Sequence, residues 1–128
     1  SLHDALPICI DIAAHRFVLK QEMLTAAVLA NGLNYIYPQE HLHTARQIEE
    51  EGMLISEKPP GTKAEAYFFP ARNRIIAGLS DATIVIEAAE KGGALITAEY
   101  AWNYDRKIFA LPGNVKQKKS KGCPTFFS

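Results

Sequence analysis

Cysteine is nearly missing from this chain: Cys9 and Cys123 are its two thiols in 128 residues, with no Cys-x-x-Cys and no Cys/His ligand spacing. A disulfide scaffold and a structural zinc site are thereby excluded, and a reducing, cytoplasmic compartment is expected. No long apolar run occurs. The segment LPICIDIAA is broken by Asp11, follows no positively charged leader and is far short of a membrane span. Neither Gly-x-Gly-x-x-Gly nor a P-loop is present, so dinucleotide cofactors and P-loop ATP hydrolysis lack support. Acidic residues stop before Arg106. From there onward the chain carries Arg106, Lys107, Lys116, Lys118, Lys119 and Lys121 and no Asp or Glu, although 14 basic and 14 acidic residues balance overall. Any anion site is therefore a local feature.

What is present is enough apolar sequence, 48% of residues, for one packed domain. Helical and strand patterns alternate. Asp11 is placed to cap a helix with Ile12, His15, Leu19 and Met23 at helical spacing, and residues 25–30 read as a short buried strand. Asn31-Gly32 begins a turn-rich loop. A helix over about 39–51, with Leu42, Ala45 and Ile48 inward, ends at Gly52. Residues 53–56 make the next strand, and Pro70 suits the first turn of a helix to about Leu79, with Ile75, Ile76 and Leu79 inward. Strand 83–88, helix 93–104 and strand 107–113 complete the pattern. Short continuous apolar strands separated by helices predict an α/β fold: a Rossmann-like open, mostly parallel sheet with helices on both faces.

Ligands of such sheets sit beyond the carboxyl ends of the strands. Those ends here carry NGLNYIYP, SEKPPGT, EAAEKGG and LPGN. Gly92-Gly93, just before a helix, is either an anion cradle or a tight strand-to-helix turn. Arg72 and Arg74, expected in the first turn of their helix, either meet an anion with their planar forks or form an idle surface pair. Tyr35, Tyr37, Tyr67, Phe68 and Phe69 lie near these groups. Aromatic faces beside cations suit single-stranded nucleic acid, although core packing is the expected fate of Phe69. No metal or cofactor is expected: His41 and His43 fall on different sides of a helix, and the Asp11/His15 spacing suits a structural hydrogen bond. No nucleophile–base set is legible.

In order, the segments DIAAHRFVL, AVLANGLNYIYP, LISEKPPGT, FPARNRIIAGLS, IVIEAAEKGGALITAEYA and IFALPGNV…SKGC resemble the DNA-processing protein A family, also called DprA or Smf. The match spans residues 9–123, leaving 1–8 and 124–128 outside it. The family's Gly-Ser-Arg turn and Ser-Gly-Leu-Ala strand have no counterpart, so the sheet is expected to lack the first strands. The resemblance implies a non-enzymatic domain that binds single-stranded DNA and loads a RecA-type recombinase during natural transformation and recombination, possible as a homodimer, with no membrane partner. It implies that Arg72, Asn73 and Arg74 line a basic DNA-binding pocket, that Gly92 and Gly93 shape it, and that Gly32 and Asn34 share its edge. Replacing Arg72 or Arg74 by Ala is then expected to weaken binding and spare the fold. The alternative is a nucleotide-phosphate hydrolase of the lysine-decarboxylase-like Rossmann group, of whose motif KGGALITAE keeps two glycines, a threonine and a glutamate at altered spacing.

Overall fold

The computed structural model describes residues 10–35, 39–86 and 92–111. Helix α1, Ile10–Lys20, holds Asp11 inside its first turn, where a carboxylate favours the positive helix end. Ile12 and Leu19 face the core, while Met23 lies beyond the helix and is exposed, in contrast to the stripe expected from spacing. The chain reverses at Glu22, with φ 55°, and enters strand β1, Ala26–Leu29.

A turn of 3₁₀ helix, Gln39–His41, precedes α2, Leu42–Glu51. Ala45 and Ile48 are buried as expected; Leu42 is exposed instead. Gly52 ends α2 because nothing larger fits: a Cβ there would stand 2.1 Å from the carbonyl oxygen of Thr25. Strand β2, Met53–Ser56, then runs parallel to β1, with Ala26 opposite Met53 and Leu29 opposite Ser56. Ile12, Leu19, Ala27, Leu29 and Ile48 form the core here, and Leu54 and Phe69 pack against it.

Helix α3, Phe68–Leu79, lies on β1 and on α4, Gly93–Asn103. Its buried residues are Arg72, Asn73 and Ala77, and Leu79 is 66% exposed, which corrects the expected inward stripe of Ile75, Ile76 and Leu79. Across the helix pair the buried residues of α4 are Thr97 and Ala101. Small side chains let the helices approach closely, and a stripe of branched chains would hold them apart. Strands β3, Ala82–Val85, and β4, Lys107–Ala110, form a second parallel pair with Ala82 opposite Lys107. Helix α4 packs on both. Parallel strands linked through helices give the Rossmann-like α/β fold that the sequence predicts.

Candidate functional site

Strands β1 and β2 end side by side, and the two loops that follow them are tied together. Ser56 Oγ donates to the carbonyl of Asn31 at 2.6 Å and accepts the N–H of Lys58 at 3.0 Å. Gly32 N–H donates to the Thr62 carbonyl at 2.9 Å, and Gly61 N–H donates to Asn34 Oδ1 at 2.7 Å. A Cβ on Gly32 would lie 2.5 Å from the carbonyl oxygen of Pro59, so only glycine permits this approach. Gly32 and Asn34 therefore stand at the sheet edge, where they hold one loop against the other. Asn31 is fully buried beneath them, and its Nδ2 donates to the carbonyls of Gly32 and Tyr35.

The Arg-Asn-Arg triplet divides between two environments. Helix α3 begins at Phe68, two residues before Pro70, so Arg72 and Arg74 sit beyond the first turn and not within it. Arg72 is 1% exposed. Its Nη1 donates to the carbonyl of Val28 at the end of β1, its Nε donates to Asn73 Oδ1 at 3.1 Å, and its guanidinium lies 5.7 Å from the centre of the Phe69 ring. Burial lowers Arg72 to about 10 against the opposing pull of Asp11, and burial raises Asp11 against the opposing pull of Arg72. For both groups desolvation exceeds the electrostatic pull of the other, as expected for charges held away from water. Asn73, also 1% exposed, donates from Nδ2 to the Gly93 carbonyl at 3.3 Å. Arg72 and Asn73, expected to line a DNA pocket, are both buried in this fold. Their polar atoms fasten α3 to β1 and to the start of α4.

Arg74 differs. It lies on the exposed side of α3, and its Nη2 pairs with Glu57 Oε2 from the loop after β2, the two side chains being 44% and 35% exposed. Next to Glu57, Lys58 Nζ sits 4.0 Å from the centre of the Phe68 ring, and Phe68 meets Tyr67 edge-on at 4.5 Å. Tyr67 is 66% exposed, with its hydroxyl bonded to Glu65, which raises its pKa. Tyr35 is exposed on the neighbouring loop. Phe69 turns into the core as expected. Lys58 and Lys63 are cations of this edge that motif reading passed over, because EKPPGT carries only turn signals; Lys63 is solvent-exposed. Tyr37 lies outside the described residues, as do Glu87 and the basic segment after Leu111.

Gly92 is buried and forms the N-cap of α4. The Gly93 carbonyl accepts from Thr97 Oγ1 at 3.0 Å as well as from Asn73. The first-turn N–H groups of α4 supply the positive helix end beside this junction. Among the described residues no cluster of His, Cys, Asp or Glu suits a metal ion, and no helix is long and apolar enough to cross a membrane.

Fold and edge together define the chain as a Rossmann-like α/β domain with an aromatic and basic rim at the carboxyl ends of its strands. The family model of DNA recombination-mediator protein A matches residues 6–128, and the chain belongs to that family. It is 48% identical over 114 residues to Protein Smf of Synechocystis, covering 89% of this chain and 29% of the relative. Over 106 residues it is 43% identical to DNA processing protein DprA of Bacillus subtilis, covering 83% of this chain and 36% of the relative. The chain thus spans about a third of the length of these relatives. The X-ray structure of DprA from Streptococcus pneumoniae superposes with a TM-score of 0.76 at 40% identity, over 90% of this chain and 41% of that one. DNA processing protein A of Helicobacter pylori, solved for its single-stranded DNA binding mode, shares the fold with a TM-score of 0.71 at 23% identity, over 86% of this chain and 60% of that one.

Proposed function

We propose that this domain binds single-stranded DNA, without catalysis, along the rim where β1 and β2 end and α3 and α4 begin. The observation that carries the proposal is the run Tyr67, Phe68 and Lys58 in mutual contact, with Arg74 beside it on α3 paired to Glu57, so that aromatic faces and cations share one rim. Single strands need that combination: bases stack on rings, and phosphates meet charge. In this proposal Arg74, Lys58 and Lys63 meet phosphates. Gly92 and Gly93 offer backbone N–H groups at the start of α4, as the P-loop-independent anion sites of helix termini do. Gly32 and Asn34 keep the two loops at the spacing the rim requires. Arg72 and Asn73 belong to the same site by holding its elements together.

Support also comes from the Helicobacter pylori protein of the same fold and its single-stranded DNA binding. By the same extension, the complete polypeptide is proposed to load a RecA-type recombinase in DNA uptake and recombination, in the cytoplasm, as a homodimer. The hydrolase alternative has no observation in its favour. Glu99, the carboxylate its motif would use, lies exposed on α4 beside Ile96, Tyr100 and Asn103.

The test is a titration of labelled single-stranded and duplex oligonucleotides of equal length at two salt concentrations. Single strands should bind more tightly, with affinity falling by a log–log slope of about −0.7 per phosphate neutralised. Equal affinity for the two forms would overturn the proposal.

A further inference from the structure

We infer that Glu57 is an internal competitor for DNA phosphate, a carboxylate that occupies Arg74 in the free protein and sets what the site will accept. This rests on the rim described above being the DNA interface. The observation is the Arg74 Nη2–Glu57 Oε2 ion pair, placed at the rim and not in the core. Of the two arginines in the triplet, Arg72 is committed to Val28 and Asn73, so Arg74 is the one open to solvent. A carboxylate and a phosphate oxygen pair make the same demand on a guanidinium: two acceptors facing its planar fork. Glu57 therefore fills the place a phosphate would take.

Its neighbours make the competition selective. Lys58, the next residue, lies over Phe68, which in turn touches Tyr67. A nucleotide that displaces Glu57 brings its base within reach of those rings, so stacking offsets the lost ion pair. A polyanion without bases displaces Glu57 for the same Arg74 contact but gains no stacking. Glu57 thus imposes the same cost on bare anions and on nucleic acid, and only nucleic acid has stacking to offset it.

The test is a double-substitution cycle in the 128-residue chain, with Glu57→Gln, Arg74→Ala and the pair, each checked for an unchanged melting profile. Affinity is measured for a labelled oligothymidylate and, by competition, for inorganic polyphosphate. Exposed ion pairs are weak, so Glu57→Gln should tighten oligothymidylate binding by about two- to fivefold. Polyphosphate, which uses the same guanidinium, should gain by a similar factor while binding more weakly throughout for want of stacking. In the Arg74→Ala background the same change should yield no gain beyond that of removing a diffuse negative charge. Equal gains in both backgrounds would mean that Glu57 acts only through long-range repulsion, and would overturn the inference while leaving DNA binding at the rim intact. Failure of the unsubstituted chain to bind oligothymidylate at all would instead remove the interface, and this inference with it.

Discussion

Arg72 donates to the carbonyl oxygen of Val28, 44 residues earlier in the chain, and so joins the middle of α3 to the end of β1. One residue later Asn73 reaches the Gly93 carbonyl at the start of α4. Adjacent side chains thereby connect three elements whose ends form the rim. The triplet that resembles a DNA-binding motif is, in two of its three positions, the fastening of the site.

Arg72→Ala should therefore destabilise the fold, and its effect on DNA should follow from that. Removing Arg72 takes away the opposite charge that Asp11 feels and leaves the buried Val28 carbonyl without this donor, a loss of about 1–3 kcal/mol. Urea denaturation followed by circular dichroism measures it. An unchanged midpoint would show that Arg72 is dispensable to the fold.

Arg74→Ala should do the reverse. Its ion pair with Glu57 is half-exposed, so stability should change by less than about 1 kcal/mol. A charged hydrogen bond to phosphate is worth on the order of 1.5–3 kcal/mol, so affinity for single-stranded DNA should fall roughly tenfold or more. Melting and titration of the same sample check both halves.

Gly32→Ala should disturb the rim through its frame. The added Cβ meets the Pro59 carbonyl oxygen at 2.5 Å, a backbone atom that cannot swing aside. One loop must move off the other, breaking the Gly32–Thr62 and Gly61–Asn34 bonds, at a cost of about 1–3 kcal/mol. Amide hydrogen exchange should be faster at position 32 and at Gly61 than in the unsubstituted chain. Unchanged exchange there would refute the clash.

Acid should weaken the fold through His15. Burial lowers its pKa from 6.5 to about 4, and its Nδ1 sits 2.7 Å from Thr25 Oγ1. Between those two pH values the unfolded chain holds a proton that the folded protein refuses, so stability is full above pH 6.5 and falls as pH drops toward 4. The loss is at most roughly 3 kcal/mol. Asp11 acts with the opposite sign: its raised pKa lets the folded protein keep a proton that the unfolded chain has lost, so its contribution falls as pH rises above 3.8. Denaturation at a series of pH values for His15→Asn and Asp11→Asn separates the two slopes.

The local pattern of residues determined the elements. Strand β2 appears over the expected 53–56, α4 starts at Gly93 as read, and Gly52 stops α2, because period, turn chemistry and steric need act over a few neighbouring residues. The rim's aromatic residues and Arg74 were legible for the same reason, whereas Lys58 and Lys63 were not, since EKPPGT shows only turn signals. Which face of α3 turned inward was not. By hydropathy Ile75, Ile76 and Leu79 belong inside, yet the buried places went to Arg72, Asn73 and Ala77. That choice depends on groups far away in sequence: the carbonyls of Val28 and Gly93 that need donors, and the small faces of Thr97 and Ala101 that set the helix spacing. The partner of Arg74 was decided in the same way, when the parallel pairing of β1 and β2 and the packing of α3 brought Glu57 across a separation of 17 residues. A guanidinium is equally able to hold a backbone carbonyl, a carboxylate or a phosphate, and only the folded position determines which of them it meets.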